Sequence, residues 1–192
     1  MALNIHKILG DTLLAMCKTK KLEAITVSDI INETGISRQT FYNRFRDKND
    51  LIQWTYEHNV LSGFLNNGPE STYYLNTLNY YKAIDAHRDF MKQACAIEGQ
   101  NCLKDFIFNF AIDYDLKWHE YYYGGPLPKE FVYMSWYHSV ASITAAINWI
   151  ESDDPEPPEV MARRITALRK VSLSDTIFGP DNPLYAFESE GS

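Results

Sequence analysis

Cysteine is scarce in this sequence. Cys17, Cys95 and Cys102 are the three among 192 residues, and none forms a CxxC or CxxH spacing. An odd, sparse set excludes a disulfide framework and a cysteine zinc site, and reads as the reduced thiols of a cytoplasmic protein. Cys95 and Cys102 fall on different predicted helices and read as buried, inert thiols. No run of 18 uncharged apolar residues occurs, so no membrane-spanning helix and no membrane partner are expected. Met1 to Lys7 lead into an amphipathic stretch containing Asp11, which is not the apolar core of a signal peptide. There is no GxSxG, Walker loop, HExxH or Rossmann fingerprint. Asp113 and Asp115 fall on different sides of a helix and make no catalytic dyad. Together with His119 and Glu120 they read as a solvated helix face and not as a metal site. An enzyme, a cofactor and a metal are therefore not expected. Positive charge is short as well: 18 Lys and Arg stand against 25 Asp and Glu, a net −7. Taken alone, that balance argues against a nucleic-acid binder.

What the chain has is helical periodicity. Its 45% hydrophobic and 22% charged residues are ordinary for a folded domain and exclude disorder as the main state. No alternating strand pattern of useful length and no repeat appear, so the fold class is all-α. Ile5, Ile8, Leu9, Thr12, Leu13 and Met16 share one face of a first helix. Thr26 to Asp29 resembles a capping box that starts a second, ending near Thr34 at Gly35. Ser37 caps a third, from Arg38 to about Phe45. Asp47 or Asn49 caps a fourth, with Leu51, Trp54, His58, Leu61 and Leu65 on one face. After a break at Asn66-Asn67-Gly68-Pro69 the pattern predicts helices over Tyr73–Ile84 and His87–Ile97, a long one with Leu103, Phe106, Phe110, Tyr114 and Trp118 in register that Gly124-Gly125-Pro126 stops, and then Lys129–Ser152 and Val160–Val171. Residues 179–192 read as an irregular tail.

Residues 26–45 thus form two short helices joined by a glycine turn, the helix-turn-helix plan. The second helix exposes Ser37, Arg38, Gln39, Thr40, Tyr42 and Asn43, side chains suited to base edges and phosphates. Phe41 and Phe45 would anchor it inward, and Lys48 starts the next helix, where a phosphate can be gripped. Ile25-Thr26-Val27, Asp29-Ile30, Gly35-Ile36-Ser37, Thr40-Phe41-Tyr42, Phe45, Lys48 and Leu51 together resemble the DNA-binding domain of the TetR family of bacterial transcriptional regulators. The match covers about residues 5–52. Gly35 to Tyr42 and Phe45 to Leu51 also look like the subgroup containing dihydroxyacetone-kinase operon regulators. Two departures stand out. Lys20-Lys21-Leu22 replaces the usual glycine-aromatic pair, and Arg44 stands where many members have histidine. The resemblance implies phosphate contacts from Thr26, Tyr42 and Lys48, with Arg44 adding one, and base contacts from Arg38, Gln39, Thr40 and Asn43.

The resemblance divides the chain into a helix-turn-helix DNA-binding domain, residues 1–48, and a helical ligand-binding and dimerisation domain, residues 49–178. On the helix from Lys129, Val132, Trp136, Val140, Ile143, Ile147 and Ile150 form a large apolar stripe. Ser135, Ser139, Ser142 and Ala146 form a small one that lets a neighbour approach closely. With Met161, Ile165 and Leu168 of the last helix, the large stripe could build half of a two-fold four-helix interface. The region is rich in tyrosine, and Tyr80, Tyr81, Phe110, Tyr114, Trp118 and Tyr137 are candidates to line an effector pocket.

The expectation is a homodimeric one-component regulator that binds a double-stranded DNA operator and responds to a small-molecule effector. Repression is the expected output. The alternative is a protein of the same fold, or a co-activator, acting through a protein partner. The charge deficit does not oppose DNA binding once it is divided. Residues 1–55 carry eight Lys and Arg against six Asp and Glu, a balance of +2, and the remainder is −9.

Overall fold

The computed structural model describes residues 4–65 and 71–170. Among them every regular element is helical and none is a strand. The expected break at Asn66–Pro69, the last helix's end at Val171 and the tail at 179–192 lie outside the described residues.

Helix α1 (Ile5–Cys17) is capped by Asn4, whose side chain accepts from the Lys7 N–H, and it buries Leu9, Leu13 and Cys17. Gly10 sits on the same inner face because a Cβ there would lie 2.6 Å from the Trp54 ring. A short 3-10 turn, Leu22–Ala24, leads to α2 (Val27–Thr34). Thr26 and Asp29 cap α2 reciprocally, and Gly35, at φ +68°, ends it in a left-handed conformation. Ser37 caps α3 (Arg38–Tyr42), and Asp47 caps α4 (Lys48–Tyr56). Ile30, Phe41, Phe45 and Leu51 are buried between these helices. Helix α3 stops three residues short of the expected Phe45. The Arg44 N–H donates to the Phe41 carbonyl at 2.9 Å and tightens the last turn, while Phe45 stays buried within 5.9 Å of the Phe41 ring.

Helix α4 runs into a π turn, Glu57–Leu61, and then α5 (Ser62–Leu65). The sequence pattern treats this stretch as one regular helix. The wider turn rotates the following face, so Tyr56, Val60 and Leu61 turn inward while His58 and Leu65 are exposed.

The body consists of α6 (Tyr73–Ala86), α7 (Arg88–Ala96), α8 (Leu103–Tyr123), α9 (Lys129–Glu151) and α10 (Pro158–Arg169). Helix α10 lies along α6, and α8 lies along α9. Arg88 closes the C-terminal end of α9 by donating to the Trp149 carbonyl at 3.1 Å, with its guanidinium 4.1 Å from the Trp149 ring. Gln93 of α7 holds the end of α1. Its Oε1 accepts from the Leu22 N–H at 2.6 Å, and its Nε2 donates to the Cys17 carbonyl at 2.9 Å. Asn49 and Gln53 of α4 donate to the Gln100 and Asn101 carbonyls. The N-terminal helices are thus seated on the body at two points.

Two expectations about the body are corrected. Ile143, Ile147, Ile150, Met161 and Ile165, expected at a two-fold interface, are buried in the protomer's own core. Helix α9 is apolar over a wider arc than one neighbour covers, and its isoleucines take the inner part of that arc. Asp115 and His119, expected on a solvated face, are buried against the small stripe of α9. Ser139 Oγ donates to Asp115 Oδ2 at 2.5 Å, and Ser135 Oγ lies 2.8 Å from His119 Nδ1. Arg169 of α10 pairs with Asp115 at 2.8 Å and also donates to Tyr73 Oη at 3.0 Å. Partners of this kind are what make a buried carboxylate tolerable.

Candidate nucleic-acid interface

The candidate readout residues come from one continuous piece of backbone. Gly35 turns the chain between α2 and α3, and Phe41 and Phe45 pin α3 from beneath. The opposite face of α3 therefore projects outward. Ser37, Arg38, Gln39, Tyr42, Asn43 and Arg44 are all exposed, and Thr40 is half-buried. Tyr42 keeps 47% of its surface accessible.

Local bonds set the posture of several of these side chains. Ser37 Oγ accepts from the Thr40 N–H and lies 2.8 Å from Thr40 Oγ1, so the two hydroxyls engage one another. Arg38 Nη2 donates to Ser28 Oγ on α2 at 2.7 Å, which aims the guanidinium along the helix pair. Thr26 Oγ1 donates to Asp29, and Lys20 also bonds that carboxylate at 2.9 Å. These donors hold the Asp29 carboxyl well below the usual range, the Lys20 bond being the largest influence. Arg46 is tied to Asp50 by its backbone N–H and its guanidinium.

Lys48 departs from its expected role. Its ammonium points inward and donates to the carbonyls of Leu22, Glu23 and Ile25 at 3.0, 3.2 and 2.9 Å. All three ammonium protons are used there, and burial lowers the Lys48 pKa. The side chain fixes the 3-10 turn from which Thr26 and α2 begin, and so it positions the readout unit. Sequence reasoning reached Lys48 through its place at a helix start and through the resemblance, neither of which gives the direction of a long side chain. Gln93 and Ser28 were missed, because a single polar residue on a helix face gives no signal of what it bonds.

In the body, a cavity of about 90 Å³ lies among α4, α6, α8, α9 and α10. Four of the expected lining residues, Tyr80, Tyr81, Phe110 and Tyr114, do line it. Trp118 and Tyr137 do not. Trp118 packs on Tyr122 with ring centroids 4.6 Å apart, and Tyr137 is 57% exposed. Tyr73, Thr77, Asp115, Ser139 and Arg169 line it too. Tyr56 and Tyr80 meet hydroxyl to hydroxyl at 3.0 Å, and burial drives both phenol pKa values up. Of the expected interface residues, Trp136 and Leu168 are exposed and Val132 and Val140 half-buried. Tyr133 and Val160, outside the expected set, are exposed with them.

Among the described residues a helix-turn-helix is followed by a helical body, an arrangement that DNA-binding regulators use. The comparisons give the family. Residues 15–53 match the family described as bacterial regulatory proteins, tetR family, and residues 72–170 match the one described as transcriptional regulator C-terminal region. The chain belongs to the TetR family of transcriptional regulators, a family of DNA-binding regulators and not of enzymes. It is 24% identical over 110 residues to the HTH-type dhaKLM operon transcriptional activator DhaS of Lactococcus lactis subsp. lactis (strain IL1403). That match covers 57% of this chain and 56% of the relative, so the chain spans about half the length of the curated relative it matches. A solved structure described as dihydroxyacetone kinase operon activator DhaS superposes with a TM-score of 0.67 at 18% identity, over 88% of this chain and 96% of that one. At that identity the likeness concerns the fold. Among the described residues no helix is long and apolar enough to cross a membrane.

Proposed function

We propose that this regulator works in the cytoplasm as a homodimer and binds an operator through the exposed face of α3. The observation that carries the reading is the outward row of α3 over a buried Phe41–Phe45 anchor, within the stretch matched to the tetR family. Arg38, Gln39, Thr40 and Asn43 read base edges, while Thr26, Ser37, Tyr42 and Arg44 bear on phosphates. Lys48 serves the interface from within, by holding the turn before α2. The domain boundary falls at residue 48, where α4 begins.

The proposed dimer face is the outer side of α9 with α10, centred on Trp136, Val140 and Leu168 and supported by Val132 and Tyr133. Exposed aromatics of this size are costly on a free surface and suit a two-fold contact. An effector in the body's cavity would shift α4, through Tyr56 in its wall, and change the spacing of the two α3 helices. Repression is the output expected for the family. A second reading, activation, is favoured by the relatives' descriptions as operon activators.

The test is a gel-shift with the DNA upstream of the protein's own gene. Sequence-specific binding should fall with Arg38→Ala and Tyr42→Phe. Full retention of specific binding in both variants would reject α3 as the reader. A reporter placed behind the same DNA then separates repression from activation.

A further inference from the structure

Arg38 opens the readout helix, and it is held differently from the cations around it. Lys20 pairs with the Asp29 carboxylate at 2.9 Å, Arg46 pairs with Asp50, and Lys48 donates to three carbonyls inside the fold. Arg38 makes no ion pair among the described residues. Its side chain is held by a neutral hydroxyl instead: Nη2 donates to Ser28 Oγ at 2.7 Å, ten residues back in the chain. Ser28 is exposed on the first turn of α2, and Arg38 is exposed at the start of α3. The bond therefore ties the two helices of the helix-turn-helix together on their solvent side. Asp29, the acid beside Ser28, is engaged elsewhere. Its Oδ2 accepts from the Thr26 N–H and hydroxyl, both at 2.8 Å, and from Lys20. The group that Arg38 meets is thus the serine hydroxyl and not the carboxylate next to it.

We propose that Ser28 is a positioning residue for Arg38, and that Arg38 held in this way reads a guanine in each operator half-site. The proposal rests on α3 as the operator reader and deepens it. The chemistry is orientation without neutralisation. A carboxylate in place of Ser28 would hold the guanidinium, but it would cancel the charge and turn an anion towards the DNA. A hydroxyl fixes the group and leaves its charge intact. The bond takes one of the guanidinium's five N–H donors, so a bidentate pair can still form with a second partner. A free arginine loses many rotamers when it is immobilised in a complex, and one already held loses fewer. A planar, charged, oriented fork has one good match among the base edges of the major groove, the O6 and N7 acceptors of guanine.

The experiment selects duplexes from a randomised library with the full chain. It then measures affinity for the selected operator and for copies with each base pair replaced in turn. The wild type is expected to prefer one guanine per half-site by about tenfold, and Arg38→Ala to lose that preference. Ser28→Ala should lower the preference at the same base pair about threefold and leave the other positions unchanged. Ser28→Thr keeps the hydroxyl and should restore it. In the Arg38→Ala background, Ser28→Ala should have no further effect. A purely structural role for Ser28 would weaken all duplexes alike and would persist without Arg38. Either of those results, or an undiminished guanine preference in Ser28→Ala, overturns the positioning role. If Arg38→Ala weakens all duplexes alike and lowers the log–log salt slope by about 0.9, Arg38 grips a phosphate and the guanine assignment is overturned. Loss of the guanine in Arg38→Ala but not in Ser28→Ala leaves α3 as the reader and removes Ser28 alone. Unchanged base preference in both Arg38→Ala and Tyr42→Phe removes the α3 reading and Ser28 with it.

Discussion

Replacing Lys48 by methionine separates two roles for one side chain. Methionine keeps an apolar stem of similar reach and removes the ammonium that bonds the Leu22, Glu23 and Ile25 carbonyls. Each charge-assisted bond contributes about 1.5–3 kcal/mol in isolation. The sum is not the expected loss, because burial of the ammonium opposes it, as the lowered Lys48 pKa shows, and water can reach the freed carbonyls in part. A net loss of about 2 kcal/mol follows, equivalent to a melting point about 4–8 °C lower for a chain of this size. Urea unfolding should show an earlier midpoint with an unchanged slope. Operator affinity should keep its dependence on salt, because no phosphate contact is removed. If Lys48 reached the DNA instead, stability would hold and the log–log salt slope would drop by about 0.9. That pair of results would refute the inward geometry.

Three further perturbations test other parts of the structure. Burial first, and then the charge of Arg169, push the His119 pKa down to about 4, so the folded state favours the neutral ring. The resulting stability is complete above about pH 6.5 and is lost as the pH falls towards 4, about 3 kcal/mol in all. Urea midpoints at pH 4.5 and 7 should differ less in His119→Gln than in the parent, and equal differences would contradict this. Gly10→Ala should destabilise by about 1–2 kcal/mol, because the clash of the new methyl with the Trp54 ring outweighs the helix propensity it gains. A raised melting temperature would show that the ring gives way. Trp136→Asp should shift the native mass from dimer to monomer with helicity retained, and an unchanged dimer mass would move the interface elsewhere on the surface.

The N-terminal helices were legible because local chemistry determines them. Thr26, Gly35, Ser37 and Asp47 act on backbone groups within a few residues, and each sits where its own turn requires it. The body was legible as helices but not as contacts. Ile143 and Trp136 lie in one apolar stripe, yet the first faces the protomer's core and the second faces out. Periodicity reports that a face is apolar and does not report what covers it. Asp115 and His119 look solvated in the sequence because their partners, Ser135, Ser139 and Arg169, come from two other helices.

Helix α4 joins the two halves, and its ends explain how the cavity could bear on α3. At its start, Lys48 holds the turn that precedes α2. At its end, Tyr56 stands in the cavity wall, bonded to Tyr80. The helix, nine residues with both ends counted, makes a rigid rod of about 13 Å, too short to bend appreciably. In the proposed coupling, a displacement at Tyr56 would arrive at Lys48 as a movement of the whole rod. The π turn beginning at Glu57 interrupts the regular α-helical ladder directly after Tyr56, where the proposed movement would have to be accommodated. The Gln93 clamp on Cys17 and Leu22 supplies the opposing fixed point. Asn49 and Gln53 also hold α4 to the Gln100 and Asn101 carbonyls, so the proposed coupling would have to carry that loop along with the rod.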